Sequence, residues 1–347
     1  MGIRTVVVGY GRAGKHFHCY LIRLAPGLTL YGVVSGDADK RARIEAEQGC
    51  RAYASLEEAL ADREAQLFVF ATPHSTHAPM AIQAMNAGRH VVVEKVMCLN
   101  LAECDAMIAA ARRNGVLLSV FQNRRFDGDF LTVRRLMDSG ELGETRWIEM
   151  AWQSFGASRN WRSQAAMGGG KYYDLGAHMV DQLLLLFPDA VESVYCRMRY
   201  DFPGGLDIMN EALLVVTFEG GRTGIVDCSA MAAISKPRFY VRGTKGAFQK
   251  YGVDPQEAAM MKGDIDAAAE DPKSFGVFSD GKARREVPTL RGRWRDYYEN
   301  IAAVLNEGAK PAVSLASLRR QIAVLDAGMR SAQIGEVVRP AIGRLEE

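Results

Sequence analysis

The first third of the chain alternates short apolar runs with stretches of helical periodicity. Thr5-Val6-Val7-Val8 is an unbroken β-branched run, the pattern of a strand buried on both faces. A helical stretch over residues 14–24 follows, then a strand over 28–35 and a helix over 40–48. Ser55 with Glu58 three residues on reads as a capping-box helix start. A strand at 67–71, a helix at 79–86 ending at Gly88, a strand at 90–94, a helix at 101–114 stopped by Gly115 and a sixth strand at 116–121 complete the series. Repeated β-α units of this length predict a parallel, doubly wound sheet.

Beyond a helix at 129–139 the rhythm changes. Strands at 145–152, 191–200, 211–219, 222–230 and 238–242 succeed one another, and Glu219-Gly220-Gly221-Arg222 carries a hairpin signal. They predict an α+β domain with an antiparallel sheet and one strong internal helix at 174–186. Residues 254–292 are polar and read as an irregular surface excursion. Helices at 297–306 and 315–331 close the chain. The predicted division is a doubly wound parallel domain over residues 1–122 and a second domain over 123–347, with the closing helices as candidates for packing back on the first.

Composition narrows the class. The chain has 347 residues, which suits about two domains. At 48% hydrophobic and 24% charged it is neither disordered, collagen-like nor coiled coil. The net charge of +2 and the scattered pairs Arg112-Arg113, Arg124-Arg125 and Arg134-Arg135 argue against a nucleic-acid binder. No apolar run approaches the roughly 20 residues that cross a bilayer, and the opening strand meets glycines at once, unlike a signal peptide. Six cysteines, scattered and without CxxC spacing, read as reduced thiols of a cytoplasmic protein.

Gly9-Tyr10-Gly11-Arg12-Ala13-Gly14 fits GxGxxG, with a strand before it and a helix after it. The first glycine permits the turn, the second lets a pyrophosphate approach the backbone, and the third lets helix and strand pack closely. The helix N-terminus offers N–H groups and partial positive charge to phosphate. Dinucleotide binding is therefore predicted. The position that usually carries an acid for the adenosine ribose, at the end of the second strand, is Ser35. A hydroxyl there removes repulsion against a 2′-phosphate, and Arg12, Lys40 and Arg41 supply positive charge. The cofactor expected is NADP or NAD, with NADP favoured; a small register shift placing Asp37 on the ribose leaves NAD open.

Three further segments resemble the glucose–fructose oxidoreductase/inositol dehydrogenase (Gfo/Idh/MocA) family. They are Ala71-Thr72-Pro73-His74-Ser75-Thr76-His77, then Ala87-Gly88-Arg89-His90-Val91-Val92-Val93-Glu94-Lys95, then Gly168-Gly169-Gly170-Lys171-Tyr172-Tyr173-Asp174-Leu175-Gly176-Ala177-His178. The resemblance runs nearly end to end. It implies a Rossmann domain over residues 1–122, then a domain with a large, mainly antiparallel open sheet, and a nicotinamide-dependent oxidoreductase acting on a polyol, sugar or inositol-like alcohol, often a homodimer or homotetramer through that sheet. It matches Lys95 to the lysine of the family's Glu-Lys-Pro motif, making Glu94 and Lys95 cofactor neighbours, and Asp174 and His178 to its Asp-x-x-x-His pair. Val96 and His74 depart from the family's proline and asparagine. Valine does not favour a cis bond as proline does, which puts the presentation of Lys95 in question.

The residue chemistry agrees with those roles. Asp174 and His178 lie four apart, on one face of a helix start. Histidine titrates near neutrality and suits proton transfer; a lysine ammonium at the end of a parallel strand suits a developing alkoxide. As alternatives, Asp174 is a helix N-cap, His178 a satisfied helix histidine, and Lys95 a solvated strand end. Thr72, Pro73, His74 and His77 are expected to line the nicotinamide end. Asn123, Arg124, Trp161, Arg162 and Tyr173 are candidate substrate contacts, and the run 167–170 reads as mobile until ligand binds. His16 with His18, His74 with His77, and Asp174 with His178 are pairs without further ligands at zinc spacing, so no metal is expected. Rival readings are a catalytically silent dinucleotide-binding regulator and a reductase of a non-sugar carbonyl or conjugated ring.

Overall fold

The β-branched run that opens the chain becomes β1 (Ile3–Val8), the centre of a parallel sheet. The computed structural model describes residues 2–156, 158–200 and 207–345. Around β1 lie β2 (Leu28–Val34), β3 (Arg51–Tyr53), β4 (Leu67–Phe70), β5 (His90–Val93) and β6 (Leu118–Val120), in the order β3-β2-β1-β4-β5-β6. All five pairings are parallel. The order reverses between β1 and β4, and such a reversal opens a ligand crevice beyond the strands' carboxyl ends. Val6, Val7, Phe68 to Phe70 and Val91 to Val93 have no exposed surface, because helices cover both faces.

Those helices start and stop where local chemistry dictates. Residues Ala13–His18 form a π-helical turn that continues as α1 (Cys19–Leu24). Next come α2 (Ala38–Gln48), α3 (Leu56–Ala61), α4 (His77–Asn86) and α5 (Leu101–Asn114). The Ser55 hydroxyl accepts from the Glu58 N–H at 3.2 Å, while the Glu58 carboxylate accepts from the Ala54 N–H at 2.7 Å. Asn100 caps α5 at 2.9 Å, and left-handed Gly115 ends it.

A second compact unit begins at Asn123. It holds α6 (Gly128–Asp138), β7 (Thr145–Gln153), α7 (Ala177–Leu186), β8 (Val191–Arg199), β9 (Glu211–Phe218), β10 (Thr223–Ser229), β11 (Phe239–Gly243), β12 (Ala247–Lys250), α8 (Gln256–Met261), β13 (Gly276–Ser279) and β14 (Arg284–Val287). The eight strands run β14-β13-β12-β11-β7-β10-β9-β8. Every pairing is antiparallel except β7 with β10. Alternate residues of β9 (Ala212, Leu214, Val216, Phe218) are buried, the mark of a sheet covered on one face. α9 (Arg295–Glu307) belongs to the first unit, which comprises the chain up to Gln122 with Trp294–Leu315. α10 (Leu315–Ile334) lies, from Ala316 on, in the second.

The polar excursion expected over 254–292 is corrected in part: it contains α8, β13 and β14, and the unpredicted β12 pairs with β13. Their brevity and charge hid them. β14 reads Arg284-Arg285-Glu286-Val287 with only Val287 buried, as suits a charged sheet edge. β3, three residues at the other sheet's edge, was hidden for the same reason.

Candidate functional site

The glycine-rich turn sits where β1 gives way to its helix. Gly9 has φ of +102°, and a Cβ there would stand 2.5 Å from the Ala71 carbonyl oxygen. A Cβ on Gly14 would strike the Gly9 carbonyl. A Cβ on Gly11 would meet no atom within 4 Å. The loop therefore needs glycine at its two ends for packing, while its middle is an uncovered backbone cradle ahead of a helix N-terminus. That combination fits a dinucleotide pyrophosphate. Arg12 is exposed and Ala13 opens the helix, both flanking the cradle.

At the end of β2 the Ser35 carbonyl accepts from Arg41 at 2.9 Å. The Asp37 carboxylate accepts from the Lys40 N–H at 3.1 Å as the N-cap of α2, and the Lys40 ammonium stands 3.6 Å from it. Those contacts hold the Asp37 carboxyl below the usual carboxylate range, the Lys40 N–H first among them.

Beyond β4 and β5, the turns hold Thr72, Pro73, His74, His77, Glu94 and Lys95. Thr72 accepts from the Thr76 hydroxyl at 2.7 Å. His74 is buried in the short helical turn after Pro73, its ring 5.6 Å from that of His77. His77 departs from its expected role. It is wholly buried, Nδ1 lies 2.8 Å from the Val96 carbonyl and Nε2 3.0 Å from the Thr72 carbonyl, so both nitrogens are committed to backbone and neither is left for a cofactor. Glu94 accepts from the Lys95 N–H at 3.0 Å and from His18 Nε2 at 3.0 Å. Burial pushes the Glu94 carboxyl up, but His18, Lys95 and His77 more than reverse this, leaving it below the usual range. The Lys95–Val96 peptide is cis, so valine here does what was expected of proline.

His18 was weighed only as a metal ligand. It is a buried hinge of the first unit, bonded to Tyr298 of α9 at 2.6 Å as well as to Glu94. Its place among buried Cys19, Leu21 and Ile22 is the signal that marks it as internal.

The second unit carries the other candidates. Asp174 lies in a π-helical turn, Tyr172–Gly176, that runs into α7. It is not an N-cap: the cap position is Lys171, with no side-chain cap. Its carboxylate accepts from Arg162 Nε at 3.1 Å, and the Arg162 guanidinium lies 4.5 Å from the Trp161 ring centre. Trp161, Arg162 and Asp174 thus form one string. His178, 5% exposed, stacks on the Trp152 indole at 5.9 Å and 27°. Tyr173 is buried with its ring 5.6 Å from Tyr172, and Asn123 is buried in a short helical turn.

Arg124, a candidate substrate contact, is buried and ion-paired. It donates to Glu257 at 2.7 Å and lies 4.8 Å from the Trp152 ring centre. Arg238 stands 5.1 Å from that ring centre and donates to Gln182 at 2.6 Å, and Gln182 donates to the Arg124 carbonyl at 2.7 Å. Trp152, which stacks on His178, and the Gln182–Arg238 pair beside that indole were missed by sequence reasoning; the i, i+4 spacing of His178 and Gln182 on one helix is the available signal. The glycine run is tied down by backbone hydrogen bonds. Gly168, Gly169 and Gly170 are buried, and their N–H groups donate to Ala165, Gln164 and Arg162 carbonyls at 2.9–3.0 Å.

Among the described residues no three His, Cys, Asp or Glu side chains gather as a metal site, and no helix is long and apolar enough to cross a membrane. All six cysteines are thiols.

A doubly wound sheet with a glycine cradle, joined in one chain to a mainly antiparallel open sheet, defines a dinucleotide-binding oxidoreductase architecture. Residues 3–122 match the oxidoreductase family with an NAD-binding Rossmann fold, and residues 130–249 match the GFO/IDH/MocA C-terminal domain; the chain belongs to the Gfo/Idh/MocA family. It is 31% identical over 342 residues to the uncharacterized oxidoreductase YdgJ of Escherichia coli (strain K12), covering 95% of this chain and 96% of that one. It is 29% identical over 345 residues to scyllo-inositol 2-dehydrogenase (NADP(+)) IolW of Bacillus subtilis (strain 168), covering 95% and 94%. Among solved structures, the NAD-binding protein from Listeria innocua superposes with a TM-score of 0.86 at 28% identity, covering 99% and 98%.

Proposed function

We propose that the protein transfers a hydride between a nicotinamide cofactor and the CH–OH carbon of a polyol, sugar or inositol-like alcohol, or the matching ketone. The observation that carries this reading is the pair Asp174 and His178: a carboxylate held by Arg162 and an imidazole seated on Trp152. A relative named scyllo-inositol 2-dehydrogenase supports the substrate class.

A nicotinamide dinucleotide, when bound, would supply the hydride acceptor or donor; the Gly9–Gly14 cradle would hold its pyrophosphate, with Thr72, Pro73 and Lys95 toward the nicotinamide. In the second unit, His178 takes the substrate's hydroxyl proton on a ring nitrogen and returns it in the reverse direction. Asp174 orients the substrate or stabilises the imidazolium. In the first unit, the Lys95 ammonium stabilises the developing alkoxide. Lys95 is one residue removed from Glu94, whose carboxylate fixes the Lys95 backbone N–H.

The cofactor is NADP in preference to NAD. Ser35 in place of an acid, Arg12, Lys40 and Arg41 nearby, and an Asp37 carboxylate already capping α2 all support it. The protein acts in the cytoplasm, as a homodimer or homotetramer through its open sheet. A screen at about 340 nm with both cofactors against inositols and aldoses tests the reading, since enzymes of this kind turn over at about 1–10³ per second. Turnover of at least one polyol, with higher kcat/KM for NADP, is expected. Cofactor binding without turnover across the panel points to the regulator reading, and a strong NAD preference overturns the cofactor assignment.

A further inference from the structure

Four residues of the first unit join in one string of buried polar groups. It begins on α9, where Tyr298 has no exposed surface. The Tyr298 hydroxyl lies 2.6 Å from Nδ1 of His18, 280 positions away in the chain, and His18 Nε2 lies 3.0 Å from Glu94 Oε1. The other Glu94 oxygen accepts from the Lys95 N–H at 3.0 Å.

The chemistry of its members gives the string a direction. Burial pushes the Glu94 carboxyl up, but His18, Lys95 and His77 hold it below the usual range, so it is a carboxylate and only accepts. His18 Nε2 therefore carries the hydrogen between them. Burial, with Tyr297, Glu94 and Cys19 adding to it, pushes the Tyr298 hydroxyl well above its ordinary range, so it keeps its proton and donates it to Nδ1. Every link then pairs one donor with one acceptor.

Water has no access to the middle of the string. His18 has no exposed surface, and the Phe121 ring stands edge-on to it at 4.8 Å and packs on Tyr298 at 5.7 Å. A bond lost there is not replaced by solvent. α9 is docked by other means: Trp294, Tyr297 and Ile301 are buried, and the Tyr297 hydroxyl lies 2.9 Å from Ser119 Oγ on β6.

We propose that Tyr298 is a positioning residue for Lys95, acting through a one-way string: its hydroxyl orients the His18 ring, His18 orients the Glu94 carboxylate, and Glu94 holds the backbone N–H of Lys95. The effect on turnover rests on the function proposed above; the order of donors along the string does not.

The test uses the full chain with ¹⁵N in its histidine rings, and His18→Gln to identify the resonances. At about pH 8, above the ordinary histidine range, Nε2 of His18 is expected to carry the hydrogen and Nδ1 to be pyridine-like. An Nδ1 with its own hydrogen overturns the string. In parallel, melting temperature, cofactor Kd by fluorescence, KM and kcat are read for three variants. Tyr298→Phe keeps the ring and removes the hydroxyl. Its melting temperature is expected to fall by no more than about 5 °C. KM and Kd should hold within about threefold while kcat falls at least about tenfold, since small misplacements of reacting groups are costly. His18→Gln still offers a donor toward Glu94 and an acceptor toward Tyr298, and should keep kcat within about threefold. His18→Leu offers neither and should lose kcat as Tyr298→Phe does. An unchanged kcat in Tyr298→Phe, or a loss matched by KM, Kd and melting temperature, removes the positioning role; if His18→Leu fails to fold, Tyr298→Phe still decides. A wild type that binds cofactor but turns over no substrate defeats the proposed function and the positioning role with it, while the ring-nitrogen measurement stands.

Discussion

Histidine is used differently in the two units. In the first, His18 and His77 are wholly buried, and both nitrogens of each ring are spent on holding strand ends and helices together. In the second, His178 is held by its flat face on Trp152, itself flanked by the Arg124 and Arg238 guanidinium groups. Holding a ring by its nitrogens makes it architecture. Holding it by its face fixes its plane. The contrast shows why proximity to a motif is a poor guide to role.

The sharpest way to break that contrast is His178→Ala. Turnover of a genuine substrate should fall by about 10²–10⁴ while melting temperature and cofactor Kd hold. A variant that turns over normally takes His178 out of the mechanism. Next in size is Arg125→Met. Arg125 forks onto Asp181 at 2.8 and 2.6 Å in the buried floor beside Arg124, and leaving Asp181 uncompensated should cost about 3–5 kcal/mol, read by chemical denaturation. A loss near zero means that Asp181 is reached by water.

Two glycine variants sharpen the first unit's side of the comparison. Gly14→Ala forces a methyl against the Gly9 carbonyl and should lower stability by about 1–3 kcal/mol. Gly11→Ala points its methyl into open space, so stability should hold while cofactor Kd rises. Equal melting temperatures for the pair would refute the division between packing and cradle positions. The smallest effect belongs to Arg162→Met. The ion pair with Asp174 is partly exposed, so stability should shift by at most about 1 kcal/mol. A change in kcat without one in melting temperature would place the pair in chemistry rather than in folding.

The parallel half of the fold was legible because its strands are continuous apolar runs and its glycine turn is a purely local pattern. β12, β13 and β14 were not, since four-residue edge strands with charged side chains take their pairing from a neighbour. Among the site candidates, Asp174 and His178 lie four apart and were readable together. The Arg124–Glu257 pair was not readable, because the two residues are 133 apart and no local rule links them. His77 was misread for a related reason: its two acceptors are carbonyls, five residues back and nineteen ahead, which no side-chain pattern reveals.

Both helices that carry candidate chemistry open with a widened turn, in which Cys19 donates to Gly14 and Ala177 to Tyr172, each five residues back. Such a turn sets the azimuth of everything upstream of it. It fits one residue more than an ordinary helical turn between the same flanking backbone, so Tyr172–Gly176 holds a residue that an unbroken α-helix would not. The bearing of the Asp174 carboxylate relative to the His178 ring is therefore a matter of helical phase. Deleting Leu175 should close the turn at ordinary pitch, leave the flanking backbone nearly in phase, and change the step from Asp174 to His178 from four residues to three.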